Sequence, residues 1–285
     1  MFTDETATPR RLEILLDTLR EFRSGLEPKT LKRLLQPEPL APGGTKIAEH
    51  MLMAARELQL VEDRDGGKVA LATKARTPDS RTAILKAFDR RVLTSTEIEP
   101  HFALFFSFVL GLGKAAHAKR PKEEAWVEEY RTKVHGGRPP KPFNTTALGG
   151  LHRWYDYVGL GWYDPANNFQ PNPYPRLRRE LSGIFGRSQN LDSEAFMTAL
   201  ARQCPELDGG ELFQQANPRH EGATTKECTL GLSHALVELD LDGVLRISRP
   251  GDSSGWSIRA AEPQIEPTPD RAGSRISSIE LLTRE

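Results

Sequence analysis

Basic side chains alternate with aromatic ones in the middle of the chain, and together these residue types can bind a nucleic-acid strand. Residues 114–141 contain eight Lys or Arg residues against four Glu. Cationic groups neutralise phosphates, while aromatic rings stack on bases. The predicted nucleic-acid-binding residues in this region and just beyond it are Lys119, Arg120, Lys122, Arg131, Lys133, Arg138, Lys141, Arg153, Arg176, Arg178 and Arg179.

The same pattern has a second interpretation, in which the aromatic residues pack in a core and the charged ones form a solvated surface. The aromatic residues in question are Trp154, Tyr155, Tyr157, Trp162 and Tyr163. Under the first interpretation, individually weak phosphate contacts predict modest, salt-sensitive binding without sequence preference. The sequence leaves both interpretations open.

No motif in the sequence predicts a catalytic centre. The P-loop pattern, a GxGxxG after a strand and the HExxH pattern are all missing. Gly251–Gly255 matches GxSxG, but a nucleophile elbow requires its serine between a strand and a helix, and two strands are predicted around Ser253. The pair His220-Glu221 is most simply a solvated loop. We therefore predict no enzyme activity, no cofactor and no metal site; a metal-dependent nuclease whose carboxylates meet only on folding is the remaining enzymatic reading.

An alternative DNA-reading element is the helix predicted at Thr45–Leu58. With its apolar side inward, this helix exposes two glutamates together with the candidate recognition residues Lys46, His50 and Arg56. A helix of this kind can read base edges in the major groove. The alternative function is therefore a winged-helix transcriptional regulator that reads duplex DNA, although the balanced charge of the helix opposes it.

The C-terminal part of the chain has the opposite charge from the middle. Residues 190–245 contain ten Asp or Glu against three Lys or Arg. Glu238, Asp240 and Asp242 form an acidic helix end, most simply a solvated face. Because such a region repels DNA, we predict that it binds protein.

Composition limits the function classes. The chain has 285 residues, 38% of them hydrophobic, and its 39 Lys or Arg balance 39 Asp or Glu. A strongly basic DNA-binding protein is therefore not indicated. The most apolar run, Phe102–Leu112, is about half the ~20 residues that span a bilayer, and the N-terminus lacks a signal-peptide core. We expect a cytoplasmic location, no membrane partner, and buried, reduced thiols at Cys204 and Cys228.

The hydrophobic periodicity predicts which elements carry these residues. At the N-terminus, helices over residues 9–25, 27–36 and 45–58 precede a hairpin over residues 60–71, which is the winged-helix order. A second helix-to-hairpin pattern lies at Thr225–Ala260, where Val244–Ser248 and Trp256–Arg259 are the predicted paired strands.

The predicted fold is mainly α with small β-wings, with tandem winged-helix domains joined by a helical middle. The predicted segments are an N-terminal winged helix (1–78), a helical, basic middle with a degenerate winged helix (79–188), an acidic C-terminal winged helix (189–261) and a Pro-rich tail (262–285).

Several segments of the chain resemble the DpdG family, which is encoded with 7-deazapurine DNA modification and restriction genes. The segments that carry this resemblance are Pro9–Leu19, Leu151–Trp162, Gly231–Leu245 and Arg275–Ile279. They cover a small part of the chain, and similar sequences occur in other winged-helix proteins, including kleisin-associated subunits of chromosome-organising complexes. The resemblance implies an accessory role beside DNA-processing proteins in bacterial phage defence, and it implies no catalytic residues.

Charge asymmetry and this resemblance together lead to one functional prediction. We expect a non-enzymatic adaptor or accessory subunit of a prokaryotic defence or DNA-processing complex. Its acidic C-terminal module binds protein subunits of that multi-component complex, and its basic middle contacts DNA weakly and without sequence specificity.

Overall fold

The structure is a computed structural model and is mainly helical, with small antiparallel sheets, as the sequence predicts. It describes residues 2, 6–37, 46–113, 123–165, 168–218, 220, 225–249, 254–258 and 275–283. The chain folds into two compact units. Unit 1 comprises Met1–Phe102 and Phe143–Tyr157, and unit 2 comprises Ala103–Pro142 and Val158–Glu285. The predicted division into four segments stays a prediction.

Unit 1 begins with three helices and a hairpin, in the predicted order. The elements are α1 (Pro9–Glu21), α2 (Pro28–Leu35), α3 (Ile47–Glu57), β1 (Val61–Arg64), β2 (Lys68–Leu71) and α4 (Ser80–Arg91). Helix α1 starts where the Thr8 hydroxyl accepts a hydrogen bond from the Arg11 backbone N–H, and Pro9 occupies its first turn, where a missing N–H costs nothing. Its leucines at helical spacing are buried.

The hairpin of unit 1 is confirmed. Strands β1 and β2 pair antiparallel, with Val61 opposite Leu71. Gly66 and Gly67 form the turn with φ angles of 76° and 71°, a left-handed conformation that glycine adopts without steric cost. Leu26 adds an antiparallel bridge to Val69, so the chain between α1 and α2 lies along the hairpin edge.

An aromatic core holds unit 1 together. Helices α5 (Pro100–Gly111), α6 (Glu123–His135) and α7 (Thr145–Val158) follow α4 along the chain. Trp154 on α7 stacks on Phe88 with ring centroids 4.6 Å apart, and its indole N–H donates to the Ala7 carbonyl at 2.8 Å. Tyr155 is also buried and donates to the Phe102 carbonyl. These two predicted stacking residues therefore belong to the core.

Unit 2 contains most of α5, all of α6 and the elements that follow α7. The elements after α7 are β3 (Gly161–Tyr163), β4 (Phe169–Pro171), α8 (Tyr174–Phe185), β5 (Asn190–Asp192), α9 (Ser193–Gln203), α10 (Glu211–Ala216), α11 (Leu230–Leu241), β6 (Leu245–Ser248) and β7 (Ser278–Leu281). Cys204 and Cys228 are buried and are not joined by a disulfide, as predicted. Gly243 ends α11 with a φ of 67°, a left-handed conformation that is common at helix ends.

The predicted partner of β6 is wrong. Strand β6 pairs antiparallel with β7, and β7 also pairs with β5, giving the strand order β5-β7-β6. The segment 256–258 instead makes isolated bridges from Ser257 to Glu227 and Arg275, and Arg259 lies outside the described residues. The more distant strand prevails because Ile279 and Leu281 alternate onto the buried face while the backbone of β7 pairs on both sides.

Candidate nucleic-acid interface

The basic residues predicted in the middle of the chain lie partly on α6. Lys119, Arg120 and Lys122 fall outside the described residues. On α6, the Arg131 guanidinium lies 3.4 Å from the Glu128 carboxylate, and the Lys133 ammonium lies 2.5 Å from the Glu129 carboxylate. Exposed pairs one turn apart contribute only about 0.3–0.5 kcal/mol. These cations can therefore exchange their glutamates for phosphates.

The loop after α6 presents two exposed cations. Gly136 and Gly137 turn the chain with φ angles of 57° and 82°, and the Arg138 backbone N–H donates to the His135 carbonyl. Arg138 and Lys141 are both exposed beyond this turn. Lys133 on α6 is exposed as well, so this part of unit 2 presents three accessible cations.

The prediction for Arg176 on α8 requires a correction. This side chain is 0% exposed, and its Nε donates to Glu206 Oε1 at 2.9 Å, where Glu206 is also fully buried. A second guanidinium nitrogen pairs with Glu180, one turn further along the helix. A buried arginine held by two carboxylates is a structural ion pair, so Arg176 cannot contact phosphate. Sequence alone could not distinguish it from its neighbours, since the run Arg176, Arg178 and Arg179 contains no signal of burial.

The other two arginines of α8 are half-buried and bond within unit 2. Arg178 Nη1 donates to the Tyr174 hydroxyl at 2.9 Å, and that hydroxyl donates to Asp242 Oδ2 at 2.5 Å. Burial and the bond to Asp242 both raise the pKa of Tyr174. Arg179 Nη2 donates to the Val158 carbonyl at 2.7 Å. These contacts fix the start of α8 against its neighbours, which limits what either arginine offers a ligand.

The predicted aromatic residues divide between core and surface. Trp162 on β3 is 49% exposed and is available for stacking. Tyr157 is half-buried in unit 1, where its hydroxyl donates to Glu13 Oε1 at 2.9 Å and the Arg81 guanidinium lies 5.2 Å from its ring centre. Burial, followed by the bond to Glu13, raises the pKa of Tyr157. Arg153 is exposed on α7, in unit 1.

The alternative recognition residues on α3 make contacts of their own. Arg56 pairs with Asp63 of β1 at 2.6 Å, and His50 Nδ1 lies 2.6 Å from the Thr6 hydroxyl. Lys46 is exposed at the start of the helix, and Met53 is 52% exposed further along it. Two of the three candidates are therefore already engaged within unit 1.

The acidic residues of the C-terminal module have mixed roles. Asp240 is buried and accepts a hydrogen bond from the Ile247 backbone N–H, while the exposed Glu238 accepts from Asn172. Glu206 is engaged with an arginine, and the buried Asp208 accepts from the backbone and hydroxyl of Thr229. Among the described residues of this module, the exposed carboxylates are Asp192, Glu194, Glu211, Glu227, Glu238 and Asp242.

Sequence reasoning missed a cluster of arginines in unit 1. Arg20, Arg23 and Arg76 line one cleft of about 360 Å³ together with Leu19, Leu71 and Thr77. Arg20 lies in the last turn of α1 and Arg23 just after that helix, whereas Arg76 follows β2. No spacing in the sequence connects them, because the antiparallel bridge between Leu26 and Val69 brings the two segments together.

The described part of the chain contains no group of three or more His, Cys, Asp or Glu side chains placed to hold a metal ion. Ser253 of the GxSxG match and Glu221 of the His220-Glu221 pair lie outside that part. Within the same ranges, no helix has both the length and the apolarity needed to cross a membrane.

The model of a family described as DpdG-like matches residues 1–253. No curated protein and no solved structure matches the chain.

Proposed function

Because the chain belongs to the DpdG-like family, we propose that it is a non-enzymatic adaptor of a prokaryotic defence or DNA-processing complex. The match over residues 1–253 is the observation that carries this proposal. Membership suggests an association with DNA modification and defence systems. Within unit 2, residues 114–141 are basic and residues 190–245 are acidic, which suggests that the first region contacts nucleic acid and the second contacts protein.

The arrangement of elements supports a tandem winged-helix interpretation. In unit 1, α1, the Leu26 bridge, α2, α3 and the β1-β2 hairpin follow one another in winged-helix order. In unit 2, the helices α8, α9 and α11 combine with the strand order β5-β7-β6, in which the last strand is central. Winged helices bind both DNA and protein, so surface charge selects the partner.

Surface charge favours a protein partner for the C-terminal module. Its exposed carboxylates face few described cations between residues 190 and 245, namely Arg202 and Lys226. The Lys226 ammonium is already paired with Glu194 at 2.7 Å. A DNA backbone would be repelled here, whereas a basic protein surface would be attracted.

Nucleic acid is better accommodated by the cations of α6 and its loop. Arg131, Lys133, Arg138 and Lys141 carry the positive charge of this surface. These cations can contact only a few phosphates, so we expect weak binding. For duplex DNA, each phosphate contact adds about −0.9 to the slope of log K plotted against log salt concentration. The proposed role is a non-specific backbone contact that a protein complex reinforces.

Fluorescence anisotropy with labelled single- and double-stranded DNA at low and moderate salt tests the nucleic-acid half. We expect weak binding by the wild type. The double variant Arg138→Glu/Lys141→Glu should bind DNA more weakly. Its slope of log K against log salt concentration should be smaller in magnitude by about 2, one unit for each cation. The matched control is Arg90→Glu/Arg202→Glu, which reverses two exposed arginines elsewhere and should retain binding.

Two results would contradict this half of the proposal: no DNA binding by the wild type at low salt, or equal binding by both double variants. A footprint on one duplex sequence that Lys46→Ala abolishes would instead favour the transcriptional regulator.

The protein half is tested by co-purification of the chain with the other proteins of its own DNA-modification system. We expect capture to fall with Glu211→Lys on α10 and to persist with Glu57→Lys on α3, since both glutamates are exposed but only the first lies in the acidic module. Failure of the wild type to co-purify with any of them would overturn the adaptor role.

A further inference from the structure

The arginine cleft of unit 1, defined by Leu19, Arg20, Arg23, Leu71, Arg76 and Thr77, has the lining of an anion site. Its three charged lining residues are all arginines, and no carboxylate lines it. Like charges gathered in one concave site repel one another, and a bound anion removes that repulsion.

Arg20, which lines the cleft, carries an unused donor. Arg20 Nη1 donates to Asp17 Oδ1 at 2.6 Å, and Asp17 Oδ1 also accepts from the Ser80 hydroxyl at 2.7 Å. Arg20 Nη2, by contrast, is buried and has no hydrogen-bond partner in the structure. Buried polar atoms are nearly always hydrogen-bonded, and an unmade bond is most costly for a charged group. An acceptor oxygen that reaches this nitrogen would satisfy it.

The outer part of the cleft is formed by two accessible guanidinium groups. Arg23 and Arg76 are exposed, and neither side chain makes a hydrogen bond or ion pair with a described residue. The backbone around them is fixed: the Arg76 N–H donates to the Thr73 carbonyl, and the Arg23 carbonyl accepts from Arg64. Both cations are thus held at the cleft without being used by the fold.

The chemistry of the lining selects phosphate among anions. Guanidinium groups present parallel N–H donors that match the oxygens of a phosphate. Arg20 is already paired with Asp17, so Arg23 and Arg76 supply the positive charge that a diphosphate would neutralise. The volume of about 360 Å³ is near the lower end of the range for small-ligand sites. Leu19 and Leu71 are buried and provide an apolar wall for an uncharged portion of the ligand.

We propose that the arginine cleft binds the diphosphate group of a nucleotide-sized ligand. The site lies in unit 1 and shares no residue with the proposed DNA contact on α6 and its loop. It therefore stands or fails independently of the proposed function. A phosphate of a nucleic-acid strand has the same chemistry, and the experiment separates that source from a small molecule.

Isothermal titration calorimetry of the full chain at low salt tests the cleft with three probes: pyrophosphate, ADP and a labelled single-stranded oligonucleotide. We expect saturable binding of pyrophosphate and of ADP. Arg23→Gln and Arg76→Gln should each raise Kd about tenfold, which is the effect of losing one charge-assisted hydrogen bond. Both residues are exposed, so the unfolding midpoint should not change.

The matched control is Arg90→Gln, an exposed arginine of unit 1 on α4, and it should leave Kd unchanged. Absence of pyrophosphate and ADP binding by the wild type would overturn the proposal, as would binding that survives in Arg23→Gln/Arg76→Gln. Oligonucleotide binding that this double variant abolishes, without any pyrophosphate or ADP binding, would assign the cleft to a nucleic-acid strand and reject the small ligand. Loss of DNA binding in the Arg138→Glu/Lys141→Glu variant with pyrophosphate binding retained would support two separate sites.

Discussion

Arg176 shows how one buried charge is accommodated in unit 2. Its guanidinium is fully buried and bonded both to Glu206, which is also fully buried, and to Glu180, which is slightly exposed. The net gain from such a group is small, because desolvation offsets the attraction between the charges. Its removal is costly nevertheless, since it leaves carboxylates without their partner in a site that water does not reach.

We expect Arg176→Ala to lower the free energy of unfolding by about 3–5 kcal/mol. Arg138→Ala is the matched control and should change it by less than about 0.5 kcal/mol, because Arg138 is exposed and its side chain has no described partner. Urea titration followed by circular dichroism measures both. Equal effects of the two substitutions would show that the buried ion pairs of Arg176 do not stabilise the fold.

Asp79 gives a second prediction at the residue scale. Its carboxylate accepts a hydrogen bond from the Thr82 backbone N–H at 2.7 Å, and this bond lowers the pKa of Asp79. We expect Asp79→Ala to cost about 1 kcal/mol at pH 7, as is typical for loss of an N-cap. A lowered carboxyl pKa stabilises the fold above the ordinary value of about 4 and loses that effect as pH falls through the folded value.

Urea titrations at pH 7 and pH 3 check this prediction. The difference between wild type and Asp79→Ala should shrink at the lower pH. Asp156→Ala, at an exposed position of α7, serves as the control and should change stability by less than about 0.5 kcal/mol. A difference that stays constant with pH would mean that the charge of Asp79 does not contribute.

At the scale of elements, β7 determines how the C-terminal sheet forms. It is the central strand, paired with β5 through Leu191 and Ile279 and with β6 through Ile247 and Ile279. Ile279 is therefore at the centre of the sheet and fully buried. Because both neighbouring strands depend on β7 for backbone hydrogen bonds, damage to this strand spreads to the whole sheet.

We expect Ile279→Ala to lower the free energy of unfolding by about 2–5 kcal/mol through the cavity it leaves. Leu282→Ala, just after the strand and 41% exposed, should have little effect. Hydrogen exchange should also show faster exchange in both β5 and β6 for the first variant only. Faster exchange confined to β7 would contradict the central position of this strand.

At the scale of the whole molecule, unit 1 is assembled from two separate stretches of chain. The first ends at Phe102, and the second, Phe143–Tyr157, supplies Trp154 to the aromatic core. Trp154 contacts Phe88 and Phe2, and its N–H bonds Ala7, so the second stretch completes a core that the first cannot fill. Unit 1 is thus not a contiguous N-terminal domain.

We expect Trp154→Ala to destabilise the protein by about 3–5 kcal/mol, whereas Trp162→Ala should cost less than 1 kcal/mol because Trp162 is half exposed. Thermal unfolding of the two variants measures the difference. A fragment of residues 1–102 should correspondingly fail to fold by circular dichroism. A stable, cooperative fragment would show that the second stretch is dispensable.

The sequence by itself determined the local elements of this protein. Leucines at helical spacing predict α1, and Asp65-Gly66-Gly67 between apolar runs predicts the β1-β2 hairpin, because both signals act over a few residues. The scattered segments that resemble the DpdG family also identified the family correctly, and the match extends over residues 1–253.

Only the tertiary structure decided which distant residues meet. Strand β7 replaced the nearer segment beside β6 because the cost of closing a longer loop grows slowly with its length, while a central strand gains backbone pairing on two sides. The burial of Arg176 and the convergence of Arg20, Arg23 and Arg76 likewise depend on packing between segments far apart in the chain. In the sequence, Arg176 and the arginines of the cleft are all simply positively charged residues. Burial and bonding partners, which separate their roles, are properties of the folded chain.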